Sequence, residues 1–109
     1  MTELTEKKCI PCEGAVRPLD KAAIKDFISK VPLWQVADDY KSIHRNFQFK
    51  NFYHTMAFVN AIAWIANREN HHPDLEVGYN KCKVRYSTHA INGLSENDFI
   101  CAAKVDSLL

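Results

Sequence analysis

Residues 51–70 constrain this chain most, because a long helical periodicity there runs directly into Asn70-His71-His72-Pro73. Phe52, Met56, Val59, Ala63 and Ala66 recur at spacings of three and four, the period of an amphipathic helix. Ala57, Phe58, Ile62, Trp64 and Ile65 widen that stripe. The helix is therefore expected to cross a sheet with one face and meet a partner with another, with Trp64 a core or interface residue. The ring of Pro73 disfavours the α region for His72, which predicts that the helix stops here. Two adjacent imidazoles, with His89 returning after a hairpin, concentrate groups that titrate near neutral pH. An acid–base site is expected where three of the five histidines meet, at one end of a helix and a sheet.

The flanking segments read as shorter elements. Asp20 is a good N-cap, with Leu19 and Ile24 as a hydrophobic staple. Ala23, Ile24, Phe27, Ile28 and Val31 continue a first helix that Pro32 closes. Residues 33–37 form a short strand candidate, and Asp38-Asp39 is a turn. Residues 43–49 follow as a half-buried strand, with Ile43, Phe47 and Phe49 inward and Arg45 as the exception. His44 falls on the outer, solvated face, and His54 in the first turn of the long helix is expected to be exposed.

After Pro73, Leu75, Val77 and Tyr79 alternate toward a turn at Asn80-Lys81. Cys82, Val84, Tyr86 and Thr88 then oppose Lys83, Arg85 and Ser87, so residues 75–88 form a β-hairpin. Ser95 caps a last helix, Leu94 and Phe99 staple it, and Asp98 falls at the third helical position. A carboxylate there can bond back to the cap, and a capping role explains Asp98 as well as a catalytic one.

The order α-β-β-α-β-β-α predicts an α+β domain, a four-stranded antiparallel sheet with helices packed on one face. Residues 1–18, with Pro11, Gly14 and Pro18 and no periodicity, read as an extended N-terminal arm, and residues 19–109 as a single domain. Open sheet edges and a broadly apolar helix favour self-association, so a homo-oligomer is expected.

Charge and cysteines exclude several classes. A formal charge of +1 with 25% charged residues leaves no electrostatic footprint for nucleic acid or an anionic membrane. Residues 1–8 contain no apolar leader segment, and no run approaches the ~18 apolar residues of a membrane span. A cytoplasmic protein with reduced thiols is expected. Cys9-x-x-Cys12 is half a zinc signature without its second half, so no metal is expected. Cys82 and Cys101 are most simply small core residues.

Asn70-His71-His72-Pro73, Tyr79-Asn80-Lys81, Ser87-Thr88-His89, Gly93-Leu94-Ser95 and Asp98 together resemble the signature of the pterin-4a-carbinolamine dehydratases. The likeness extends from Trp34 and Phe47-x-Phe49-Lys50-x-Phe52 through the C-terminal helix, and Cys9-x-x-Cys12 resembles bacterial members. The resemblance implies removal of water from 4a-hydroxytetrahydropterin, a by-product of aromatic amino acid hydroxylases, to give quinonoid dihydropterin. It implies no metal or organic cofactor, and assembly as dimers or tetramers. An aromatic amino acid hydroxylase is an optional protein partner. Some animal members also bind a homeodomain transcription factor, so a non-catalytic dimerisation or coactivator-like module is the rival reading. A zinc-stabilised domain on Cys9 and Cys12 is a more distant one.

Carried over by position, the resemblance assigns catalysis to His71, His72 and His89 and an orienting role to Asp98. Asn70, Ser87, Thr88 and Ala90 fall where the pterin ring is held. His71 and His89 are expected to transfer protons, with His72 orienting the ligand. Asn67 stands where the family usually has an acidic residue one helical turn before the first histidine, so it can orient His71 without charge. Leu75 replaces a common aromatic at the pocket rim. The chemistry needs an acid for the departing 4a-hydroxyl and a base for the N5 proton. An imidazole with an ordinary pKa of about 6.5 serves either way, and two close together rarely both carry charge.

Overall fold

Side-chain caps start the first two helices of the computed structural model, which describes residues 3–10 and 17–109. Asp20 accepts from the Ala23 N–H at 2.8 Å and opens α1, Lys21–Ile28. Asn51 accepts from the His54 N–H at 2.9 Å and opens α2, Phe52–Glu69. Ser95 precedes α3, Glu96–Asp106. The strands are β1, Gln35–Val36, β2, Ile43–Gln48, β3, Asp74–Val77, and β4, Lys81–Tyr86. They form one antiparallel sheet in the order β1-β2-β4-β3. The expected α+β architecture and element order are present, with one-turn 3-10 helices added at Leu4–Glu6 and His89–Ile91.

Strand alternation separates the faces of the sheet. Ile43 and Phe47 of β2 with Cys82, Val84 and Tyr86 of β4 are buried, under Phe58, Ile62 and Ile65 of α2 and Phe99 and Val105 of α3. Each fully buried large side chain contributes about 1.5–3 kcal/mol relative to exposure. The opposite face carries His44, Lys83 and Arg85, each half-buried. Partial burial, then the charges of Lys83 and Arg85, hold the His44 imidazole below its usual pKa.

Five details differ from expectation. The buried face of α2 is Thr55, Phe58, Ile62, Ile65, Ala66 and Glu69, leaving Phe52 51% and Trp64 61% exposed. Apolar residues on nearly every side left the phase of this helix open. The choice falls to Phe58, whose ring lies 4.6 Å from Phe47 and 4.9 Å from Phe49. Trp64 instead lies under the Arg68 guanidinium at 4.8 Å.

The hairpin turn sits one residue earlier than predicted. Gly78 donates to the Lys81 carbonyl at 2.8 Å and Val77 pairs with Cys82, so Tyr79 and Asn80 occupy the bend. Asn80 is not left-handed, a conformation that among the described residues falls to Tyr40, Asn70 and Asn92. Its carbonyl instead accepts from the Phe49 N–H at 2.7 Å. β1 is only two residues long. α1 ends at Ile28, before Pro32, with Val31 still buried.

The N-terminal segment is docked rather than free over its described part. Leu4, 7% exposed, joins the core. The Ile10 N–H donates to Asn97 Oδ1 at 3.0 Å, and Asn97 Nδ2 returns a bond to the Ile10 carbonyl at 2.6 Å. Cys12, the second half of Cys9-x-x-Cys12, lies outside the described residues. At the other boundary, the Leu19 N–H bonds the Leu94 carbonyl at 2.8 Å. Gly93 packs so closely there that a Cβ on it would stand 2.7 Å from Pro18 Cβ.

Candidate active site

α2 ends at Glu69 with Asn70 as its C-cap, where the helix was expected to stop. Asn70 adopts the left-handed conformation, φ 50° and ψ 42°, which asparagine tolerates better than most residues. Its N–H and that of His71 both reach the Ala66 carbonyl. This reversal carries the His71 ring toward α3 and stacks it on Tyr86, with centroids 5.9 Å apart and planes 9° from parallel.

His71 Nε2 then lies 2.6 Å from Asp98 Oδ1. Asp98 is 0% exposed, and its other oxygen accepts from the Thr88 hydroxyl at 2.8 Å and the Ser95 N–H at 3.0 Å. An ionised carboxylate accepts only, so opposite an ionised Asp98 the donor is Nε2, and in the neutral ring the lone pair then falls on Nδ1. One Asp98 oxygen thus bonds back to the cap and the other meets the His71 ring. The Ser95 and Thr88 hydroxyls, 2.7 Å apart, extend the buried network.

Beyond β4 the chain runs through Ser87 to Thr88, which forms an isolated bridge to Gly93. The intervening turn closes on Asn92, left-handed at φ 51° and ψ 48°, and holds His89 and Ala90 exposed at a rim. The result is a cleft of about 540 Å³ whose wall includes Asn70, His71, His72, Ser87, Thr88, His89 and Ala90. That volume is typical of small-molecule sites. His71 is largely enclosed, its side chain 11% exposed, whereas His72 and His89 face solvent. Asp98 stands behind His71, outside the cleft wall. Asn67 is exposed on α2 and belongs to neither the wall nor the His71 network, so the partner of His71 is Asp98 and not the residue one turn below it.

Five wall residues were not anticipated: Cys9, Ile10, Arg68, Glu69 and Asn97. Glu69 had a legible signal, since an acid in the last turn of a helix opposes the dipole and needs compensation. It lies three residues after Ala66 on the buried face, accepts from the Cys9 N–H at 2.9 Å, and pairs with Lys104 at 3.4 Å. Burial pushes its carboxyl upward, but the Cys9 bond and the Lys104 charge outweigh burial and hold it below the usual range. Cys9 and Asn97 gave no such signal, because their contacts lie far away in sequence. Deep burial raises the Tyr86 phenol, and its hydroxyl has no partner among the described residues. No three histidine, cysteine or acidic side chains among the described residues converge to hold a metal ion.

An antiparallel α+β domain with a polar, histidine-walled cleft of this size defines a small-ligand domain. The sequence signature described as pterin 4 alpha carbinolamine dehydratase matches residues 17–108, and the chain belongs to that family. A relative from Nitrosomonas eutropha named as such a dehydratase is 58% identical, covering 98% of this chain and 94% of its own. One so named from Legionella pneumophila is 59% identical over 99% and 96%. A crystal structure described as a transcriptional coactivator/pterin dehydratase from Brucella melitensis superposes with a TM-score of 0.81 at 29% identity. It is matched over 84% of this chain and 98% of that one.

Proposed function

We propose that this protein dehydrates 4a-hydroxytetrahydropterin to quinonoid dihydropterin and water, returning oxidised pterin for reuse by an aromatic amino acid hydroxylase. The observation that supports this reading best is the geometry of His71: its Nε2 is held against Asp98, and the ring lines a cleft shared with His72 and His89. His71 Nδ1 takes the proton from N5 as the C=N bond forms. His89 on the rim gives a proton to the 4a-hydroxyl, which leaves as water, and His72 orients the ring. Asn70, Ser87, Thr88 and Ala90 line the remaining wall and supply polar contacts for the pterin edge. General acid–base assistance of this kind is worth roughly 10²–10⁴ in rate, about 3–5 kcal/mol of barrier.

The protein is proposed to act in the cytoplasm as a dimer or tetramer, without a metal or organic cofactor. The exposed Phe52, Tyr53 and Trp64 along α2 support self-association. A second reading, a non-catalytic interaction module, draws on the coactivator half of the description of the Brucella structure. One experiment separates the two. Added to a phenylalanine hydroxylase assay, the wild-type protein removes the transient 4a-hydroxypterin absorbance, and the His71→Ala/His89→Ala variant leaves it as long-lived as no addition. A double variant that still clears the intermediate overturns the assignment, and a wild-type protein that does not clear it favours the module.

A further inference from the structure

Cys9 and Cys101 come from opposite ends of the chain, and Cys101 lies buried behind Cys9 of the cleft wall. Their sulfurs lie 3.5 Å apart. We propose that they are a peroxide-responsive thiol pair that closes to a disulfide and locks the N-terminal segment onto α3.

Access divides the two roles. Cys9 is half-buried and lines the cleft, so a small oxidant reaches it from solvent. Cys101 is fully buried, with the Cys9 sulfur against it. The backbone needs little rearrangement, because the Cys9 N–H is already bonded to Glu69 and both polar groups of the Ile10 backbone to Asn97. The Cys9 thiol also lies 3.7 Å from the Asn97 carbonyl, one helical turn before Cys101 on α3. Closing from this separation to a bond of about 2.05 Å is within the reach of side-chain rotation.

The electrons balance with hydrogen peroxide as oxidant. The Cys9 sulfur attacks one peroxide oxygen, the O–O bond breaks, and Cys9 sulfenic acid and one water form. The Cys101 sulfur then displaces the sulfenic hydroxyl, which leaves with the Cys101 proton as a second water. Two thiols lose two electrons and two protons, and peroxide is reduced to water. A reducing dithiol reverses the closure by exchange.

The consequence falls on the cleft wall. Cys9 and Ile10 form part of that wall, and the cross-link joins positions 92 residues apart. A loop that long strongly restricts the unfolded chain, so oxidation should raise Tm by roughly 10 °C.

The test uses the full chain, reduced and then treated with hydrogen peroxide. Peptide mapping of wild type and Cys12→Ser should find a Cys9–Cys101 cross-link, with intact mass lower by two hydrogen atoms. Tm should rise, dithiothreitol should reverse the rise, and Cys9→Ser should show neither change. A Cys9–Cys12 cross-link with Cys101 still open to alkylation after unfolding overturns the proposal. So does a Cys12→Ser protein that accumulates Cys9 sulfinic acid with Cys101 untouched.

Discussion

His71 Nε2 and Asp98 Oδ1 stand 2.6 Å apart, and the same carboxylate closes the first turn of α3 through the Ser95 N–H. Replacing Asp98 by Asn keeps the shape but puts an amide donor beside the ring. The His71 tautomer should then invert, placing a hydrogen on Nδ1 where a lone pair is needed. Turnover should fall about 10²-fold or more, with a lesser loss of Tm. Nitrogen-15 spectra of the histidine rings check the tautomer, and stopped-flow kinetics the rate.

Asn70 reverses the chain at the end of α2 with positive φ. Asn70→Ala should destabilise the fold by about 1–2 kcal/mol, the cost of a left-handed alanine, whereas Asn70→Gly should be close to neutral for stability. Urea unfolding of the three proteins measures the difference. Because His71 is aimed by this reversal, Asn70→Ala should also lose more activity than Asn70→Gly.

The Tyr86 ring carries His71, but its buried hydroxyl has no partner among the described residues. Tyr86→Phe keeps the stacking and removes an unsatisfied group, so stability should be unchanged or higher by up to about 1 kcal/mol, with kcat retained. Tyr86→Ala should cost about 3–5 kcal/mol. A large loss in the Phe variant would mean that the hydroxyl is bonded in solution.

Glu69 gives stability a dependence on pH. Its carboxyl is held below the ordinary value of 4.5 despite burial, so its contribution is complete above that value and disappears as pH falls through the lower folded value. Glu69→Gln should therefore be less stable than wild type at pH 7, and the gap should narrow below about pH 4.5. Denaturant titrations of both proteins across pH 3–7 test the sign.

Local signals were legible in the sequence and distant ones were not. The caps at Asp20 and Ser95 and the alternation of β2 and β4 rest on neighbours a few residues apart, and they hold. The phase of α2 was not readable, because a helix apolar on most sides fits several orientations until the sheet aromatics select one. Arg45 broke its strand alternation for a reason visible only in three dimensions. It covers Phe47 at 4.4 Å and reaches Asp106, which also accepts from Trp34 Nε1. In the cleft, the histidine motifs identified its centre, while Cys9 and Asn97 depend on contacts at least 60 residues apart. The capping position of Asp98 was visible, but its second bond to His71 was not.

The packing of Gly93 against Pro18 limits how this domain can be engineered. Gly93 does not have positive φ, so what bars a side chain there is a neighbouring ring and not a torsion angle. An alanine at 93 would act as a wedge, prising the start of the domain from the turn that bears His89. Only glycine at position 18 removes the opposing Cβ, so a library that varies both positions together can reach sequences that changing either one alone would miss.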